Sequence, residues 1–272
     1  NAFHYYMLAA AQGYAEAQCG LGNIYYHGKG VAQDLEKAFH YYMLAAKQGH
    51  EEAQFNVSKI YGVGVKNAER GEVIEKDLIQ SFKYLQSAAA KGHTEAQFTL
   101  AELYKSCEAY PKAYNLYKMA AIQGHIGAQC NLGHMYKNGT GVEQDLDEAK
   151  KYYMKAADQG HAEAQGCLSN LFFDAQNYSA AFHYARLGAA QEDGDALNIL
   201  ACMYVYGHGI KKDVLRGVGI LHQAKMGDML VNFVHLVNNE EKNVEALNID
   251  FPSYHTKIDI FTKKMMAKSF YH

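Results

Sequence analysis

Fourteen histidines and five cysteines offer this 272-residue chain its most reactive side chains. A metal site needs its ligands within one coordination sphere. His50, His93, His125 and His161 each follow a glycine and fall one to a segment, 43, 32 and 36 residues apart. If helix pairs intervene, neighbours lie on the order of 10–20 Å apart, too far to share an ion. Turn and packing roles are therefore expected, and no metal. The cysteines are Cys19, Cys107, Cys130, Cys167 and Cys202. An odd count at uneven spacing is a poor disulfide framework. It fits free thiols in the cytoplasm or another reducing compartment. The pairs Gly28-Lys29-Gly30, Gly62-Val63-Gly64 and Gly207-His208-Gly209 could suggest phosphate binding. None continues to Gly-x-x-Gly or to Gly-Lys-Ser/Thr, and no strand precedes them. Ser-x-x-Lys, His-Glu-x-x-His and Gly-x-Ser-x-Gly are absent. The expectation is a chain without catalytic residues or cofactor.

What must position these residues is a repeat. Gln159-Gly160-His161-Ala162-Glu163-Ala164-Gln165 has near-copies at Gln48 to Gln54 and Gln123 to Gln129, and variants at Gln12 to Gln18 and Lys91 to Gln97. Successive glycines Gly13, Gly49, Gly92, Gly124 and Gly160 are 36, 43, 32 and 36 residues apart. Such periods indicate a solenoid with one supersecondary unit per repeat. In the copy at Ala17, the residues Ala17, Leu21 and Tyr25 share one helical face, giving helix A. A Gly-x-Gly turn follows, then Asp34 as a cap. Ala38, Tyr41, Tyr42, Ala45 and Ala46 form helix B, which Gly49 stops in the left-handed position. Asp77-Leu78-Ile79-Gln80 and Asp145-Leu146-Asp147-Glu148 repeat the capping pattern. Small residues at Ala17, Gly22, Ala45 and Ala46 allow close helix approach. The predicted fold is all-α, a solenoid of antiparallel helix pairs.

These motifs resemble the Sel1-like repeat family, a relative of the tetratricopeptide repeats. Its pattern stands here as Ala15-Glu16-Ala17-Gln18, Leu21-Gly22, Tyr25, Gly28-Lys29-Gly30-Val31, Asp34, Lys37-Ala38, Tyr42, Ala45-Ala46 and Gln48-Gly49. Where the family often has Trp before the helix B tyrosine, Tyr41-Tyr42 and Tyr152-Tyr153 stand, and the chain has no Trp. The resemblance implies a curved, right-handed superhelical stack that binds proteins and has no common catalytic residues. A cysteine-rich branch linked to β-lactam binding pairs cysteines within each repeat. Cys19 and Cys130 share one repeat position, but neither has a partner on its own helix B.

Composition is ordinary for a soluble protein: 49% hydrophobic, 20% charged, net charge −3. A nucleic-acid binder would need a basic stripe. No apolar run reaches membrane-spanning length. The opening Asn1-Ala2-Phe3-His4-Tyr5-Tyr6 nearly copies Lys37 to Tyr42, so the chain is expected to begin at helix B of a longer array. The array is assigned to residues 1–225. Lys66 to Lys76 reads as an inserted surface loop. Residues 226–272 read as a helical cap, or alternatively a basic amphipathic helix carrying Lys257, Lys263, Lys264 and Lys268.

The helix A tyrosines Tyr25, Tyr61, Tyr104, Tyr136 and Tyr204 are assigned to the core. Six residues after the core alanine, at 100° per residue, lies the opposite side of helix A. That position reads Asn23, Lys59, Glu102, His134, Asn170 and Cys202. Two after the alanine it reads Cys19, Phe55, Phe98, Cys130, Gly166 and Asn198. Changing chemistry on a constant helix is what a binding groove needs. Asn23, Phe55, Lys59, Phe98, Glu102, His134 and Asn170 are thus the candidate partner-binding residues, with Phe55 and Phe98 as apolar anchors outside the core. The expected function is a non-enzymatic adaptor for a protein or peptide, and the resemblance implies a setting in bacterial host-interaction or regulatory complexes. The alternatives are a regulatory module of a larger enzyme and a β-lactam-binding protein of the cysteine-rich branch. The oligomeric state is left open.

Overall fold

The computed structural model describes residues 2–66 and 73–223; the expected cap at 226–272 lies outside them. They divide between two compact units, Asn1–Asp145 and Leu146–His272. The first holds helices B α1 (Ala2–Ala11), α3 (Leu35–Lys47), α5 (Leu78–Ala90) and α7 (Tyr110–Ile122). Between them come helices A α2 (Ala15–His27), α4 (Glu51–Val63), α6 (Thr94–Ser106) and α8 (Ile126–Asn138). Sequential helices pack against each other from α1 to α8. The second unit has α9 (Leu146–Asp158), α10 (Ala162–Asp174), α11 (Tyr178–Ala189), α12 (Gly194–Tyr206) and α13 (Val214–Gln223). There α10 touches α9, α11 and also α12, the next helix A. The all-α class and repeated helix pairs are as the periodicity predicts.

Helix B starts where the cap residues say. Asp34 accepts from the Lys37 amide at 2.9 Å, Asp77 from Ile79 and Gln80 at 3.0 Å, and Asn177 from Ala180 at 3.2 Å. Pro111 sits in the first turn of α7, where a missing N–H costs nothing. Gly49 follows α3 with φ +89°, a conformation that disfavours any Cβ. Gly22 has a packing reason as well: a Cβ there would come within 2.5 Å of the Tyr42 ring.

The recurring glutamine of the repeat proves to be an internal brace. Gln18, Gln54, Gln97 and Gln129 are buried. Each donates from Nε2 to a carbonyl near the end of the preceding helix B, namely Ala10, Ala46, Ala89 and Ala121, at 3.1–3.3 Å. Each of these carbonyls also accepts from the amide of the following glycine, so the glutamine fills its second acceptor site and ties helix A to the end of helix B. In the second unit Gln165 does the same to Ala157 at 3.2 Å.

Two expectations change. The insertion after α4 is not plain loop: β1 (Val65–Lys66) pairs antiparallel with β2 (Val73–Ile74). The helix A tyrosines are only half-buried against the core. The fully buried ones are Tyr42, Tyr117 and Tyr153 on helices B. Among the described residues no helix is long and apolar enough to cross a membrane.

Candidate functional site

The histidines after each glycine open the next helix A. The Nδ1 atoms of His50, His93, His125 and His161 accept from the amides of Ala53, Ala96, Ala128 and Ala164, at 3.1–3.4 Å. Accepting at Nδ1 places the ring proton on Nε2. That second nitrogen lies 2.9 Å from Glu16 in the case of His50, and 3.1 Å from Glu95 in the case of His125. The imidazole thus caps its own helix and ties it to the glutamate of the preceding helix A. Sequence reasoning assigned these rings to turns without finding the cap. The signal available was their fixed place three residues before the core alanine.

The same rings decide the fate of the two phenylalanines. Phe55 stacks on His93 with centroids 4.7 Å apart, and Phe98 stacks on His125 at 4.2 Å. Phe55 is buried with Leu85, Ala88, Ala96 and Leu100. Phe98 is half-buried and also leans on Tyr117 at 6.0 Å. The expectation that both stand outside the core is wrong for Phe55 and half wrong for Phe98. A helix in a stack has more than one buried side, and position two after the alanine faces the next repeat. Burial pushes the His93 pKa down, against the pull of Glu52, Glu51 and Glu95, and with a smaller push from Lys59.

The position six after the alanine is likewise not opposite the core. Asn23 Oδ1 accepts from the Tyr42 hydroxyl at 2.7 Å, and its amide donates to Glu52 at 3.1 Å. Glu102 accepts from the Tyr117 hydroxyl and from the Asn131 amide, the latter at 2.8 Å. Burial first, then this bond to Glu102, raises the Tyr117 pKa well above the phenolic range. His134 Nε2 is 3.7 Å from the Cys130 sulfur. That thiol is buried, which denies a substrate access to it. In the second unit Asn170 is half-buried and its amide lies 3.4 Å from the Gly166 carbonyl. Asn23, Glu102 and His134 are half-buried too. Lys59 is the exposed member of the set, its ammonium 4.8 Å from the Phe55 ring centroid. In the first unit, then, Asn23, Glu102 and Phe98 bond or stack across repeats, and Lys59 projects from that surface.

None of the five cysteines is in a disulfide; Cys19, Cys130 and Cys167 are buried and Cys107 is exposed. Burial, then the charges of Glu52, Glu16 and Glu51, raise the Cys19 pKa to about 12, so it stays protonated.

Compared with protein-family models, the chain matches the Sel1 repeat over residues 1–14, 15–50, 51–93, 94–125, 126–161, 174–193 and 194–228. The chain belongs to the Sel1 repeat family. Members are commonly protein-interaction scaffolds, and the fold is generally non-catalytic. Among solved structures it is similar to a protective antigen of uropathogenic Escherichia coli with this repeat fold. Identity is 25%, the TM-score is 0.75, and the match covers 99% of this chain and 61% of that one. The Sel1 chain therefore spans less than two thirds of that protein's length. It is also similar to a Sel1 repeat protein from Oxalobacter formigenes, at 28% identity and a TM-score of 0.62. That match covers 79% of this chain and 86% of the other. A search of curated proteins returned no match.

Proposed function

We propose that this Sel1 repeat chain is a non-enzymatic scaffold that holds a protein or peptide partner against its helices A. The setting we propose is a bacterial host-interaction or regulatory complex. The observation that supports the scaffold reading best is the position carrying Asn23, Lys59, Glu102, His134 and Asn170: its chemistry changes while the helices beneath it keep one pattern. The bacterial setting draws support from the similar protective antigen of uropathogenic E. coli. Within the first unit Lys59 is the contact point, since it is exposed while the groups beside it bond across the repeats. Phe55 and Phe98 act as the floor beneath it rather than as free anchors. Charged groups at such a rim set orientation and on-rate more than affinity.

A photo-crosslinking amino acid placed at Lys59 should give a discrete adduct in cells that express the chain. The same probe at Lys118, exposed on α7, should not. Adducts from Lys118 alone would move the partner to the helix B side, and adducts from neither would refute the reading.

A further inference from the structure

The sequence holds three arginines, and two of them, Arg186 and Arg216, line a single cavity in the second unit. The cavity has a volume of about 1060 Å³ and opens among α11, α12 and α13. Its wall includes Leu200, Tyr204 and Ile220, with Glu192 at the edge.

The stacking position that other repeats fill with a ring is aliphatic beside this cavity, as it is also at Leu116 beside Tyr104. Seven residues after the helix B cap, Tyr41, Tyr84 and Tyr184 stack on the helix A aromatics Tyr25, Tyr61 and Phe172, with centroids 5.6–6.1 Å apart. Here Ile220 takes that position, seven after Asp213. The Arg216 guanidinium lies 4.6 Å from the Tyr204 centroid, in the place from which Lys37 and Lys112 approach Tyr25 and Tyr104. On the other side Phe182 meets Tyr204 edge-on at 6.1 Å, and Arg186 lies 5.8 Å from the Phe182 centroid. Two guanidiniums therefore bracket an aromatic pair.

Neither guanidinium forms an ion pair with a described residue, and Glu192 is bonded to neither. Their ring contacts fix the two side chains while leaving N–H donors for a ligand. Arginine's planar fork matches a carboxylate through two parallel hydrogen bonds. Between the two charges the wall offers aliphatic and aromatic surface. The volume sits at the upper end of small-ligand pockets, which suits a chain segment.

We propose that this cavity is a docking site for an acidic peptide. Two of its carboxylates would bond Arg186 and Arg216, and an apolar side chain between them would pack on Leu200, Tyr204 and Ile220. This deepens the scaffold reading and rests on it, by giving the second unit a partner chemistry of its own.

The test uses the full chain and a short fluorescein-labelled peptide of alternating glutamate and leucine, followed by anisotropy at low ionic strength. The peptide should bind, and a version with lysine for glutamate should not. Arg186→Gln and Arg216→Gln should each weaken binding roughly tenfold or more, as charge-assisted bonds do. Arg→Lys at either position should recover part of it. Both arginines are exposed, so circular dichroism should report unchanged folding. Equal binding by the double glutamine variant, or by the lysine peptide, would overturn the proposal. A labelled single-stranded oligonucleotide that binds more tightly than the peptide would overturn it too. A dimer in sedimentation that the double variant loses would give the cavity to a second copy instead. The crosslink from Lys59 separates the two readings: its persistence without peptide binding sinks the docking site alone, and its absence sinks the scaffold.

Discussion

Replacing Phe55 by alanine separates a groove anchor from a junction residue. An anchor exposed to solvent would cost little stability. The structure places Phe55 at 9% exposure, within a cluster that includes Leu85, Ala88, Ala96 and Leu100. Burying a phenylalanine contributes about 1.5–3 kcal/mol by transfer alone, and the cavity left by truncation raises the usual loss to about 3–5 kcal/mol. The ring also stacks on His93 at 4.7 Å, a contact of the kind that adds about 0.5–1.5 kcal/mol. The low end of that range gives about 3 kcal/mol. At about 2–4 °C per kcal/mol for a body of 150–250 residues, Phe55→Ala should melt about 6–12 °C below the parent. Thermal and urea unfolding by circular dichroism would measure this, with Lys59→Ala as the control that should change by less than about 0.5 kcal/mol. A Phe55→Ala midpoint within about 1 °C of the parent would refute the assignment and return the ring to the groove.

Leu132 is fully buried, so Leu132→Ala should cost about 2–5 kcal/mol in urea titration; an unchanged midpoint would mean the helix A register is wrong. Iodoacetamide under native conditions should modify Cys107 first and Cys19, Cys130 and Cys167 last, following their burial, as peptide mapping would show; equal rates would contradict the packing. The folded His93 has its pKa lowered, chiefly by burial, so the unfolded chain takes its proton more readily. Its stabilising contribution is therefore present above the ordinary value of about 6.5 and is lost as the pH falls through the folded value. The urea midpoint should drop on acidification, and less so in His93→Asn, which keeps a cap without titrating; identical profiles for the two would refute it.

How much of this was legible beforehand follows from which interactions are local. The helix B caps at Asp34, Asp77 and Asn177, the turn at Gly49 and the place of Pro111 are all settled by residues within one turn. Sequence spacing carries that information in full. The histidine caps escaped because imidazole is outside the usual Ser, Thr, Asp and Asn set, although the acceptor geometry at His93 is the same. The candidate site was misjudged for a different reason. A helical wheel assigns one buried face, whereas a helix inside a stack meets several neighbours. Asn23 bonds Tyr42 on one side and Glu52 on the other, so no wheel drawn from one helix could place it. The arginine cavity was likewise invisible, since Arg186 comes from α11 and Arg216 and Ile220 from α13, and they meet only in the packed unit.

The residue two places after the core alanine therefore varies with its neighbour as well as with any partner. Phe55 and Phe98 each face a histidine cap on the next helix A. In the second unit that position is Gly166, and the next cap is Asp193, which accepts from the Ala196 amide at 2.9 Å. A Cβ on Gly166 would lie 2.0 Å from Asp193 Oδ1, so glycine is required while aspartate caps in that pose. Before a histidine cap the position holds a ring at Phe55 and Phe98 and a cysteine at Cys19 and Cys130, and before the short anionic cap it holds glycine. Gly166→Phe alone should force the carboxylate aside, at an overpacking cost of about 1–3 kcal/mol and part of the cap, worth about 1 kcal/mol. Adding Asp193→His supplies the ring that Phe55 and Phe98 meet. The double variant should then be more stable than the two single losses predict, with a coupling of about 0.5–3 kcal/mol from a double-mutant cycle in urea. Additive losses would mean that the pairing is incidental, and that variation at this position is free to record a binding partner after all.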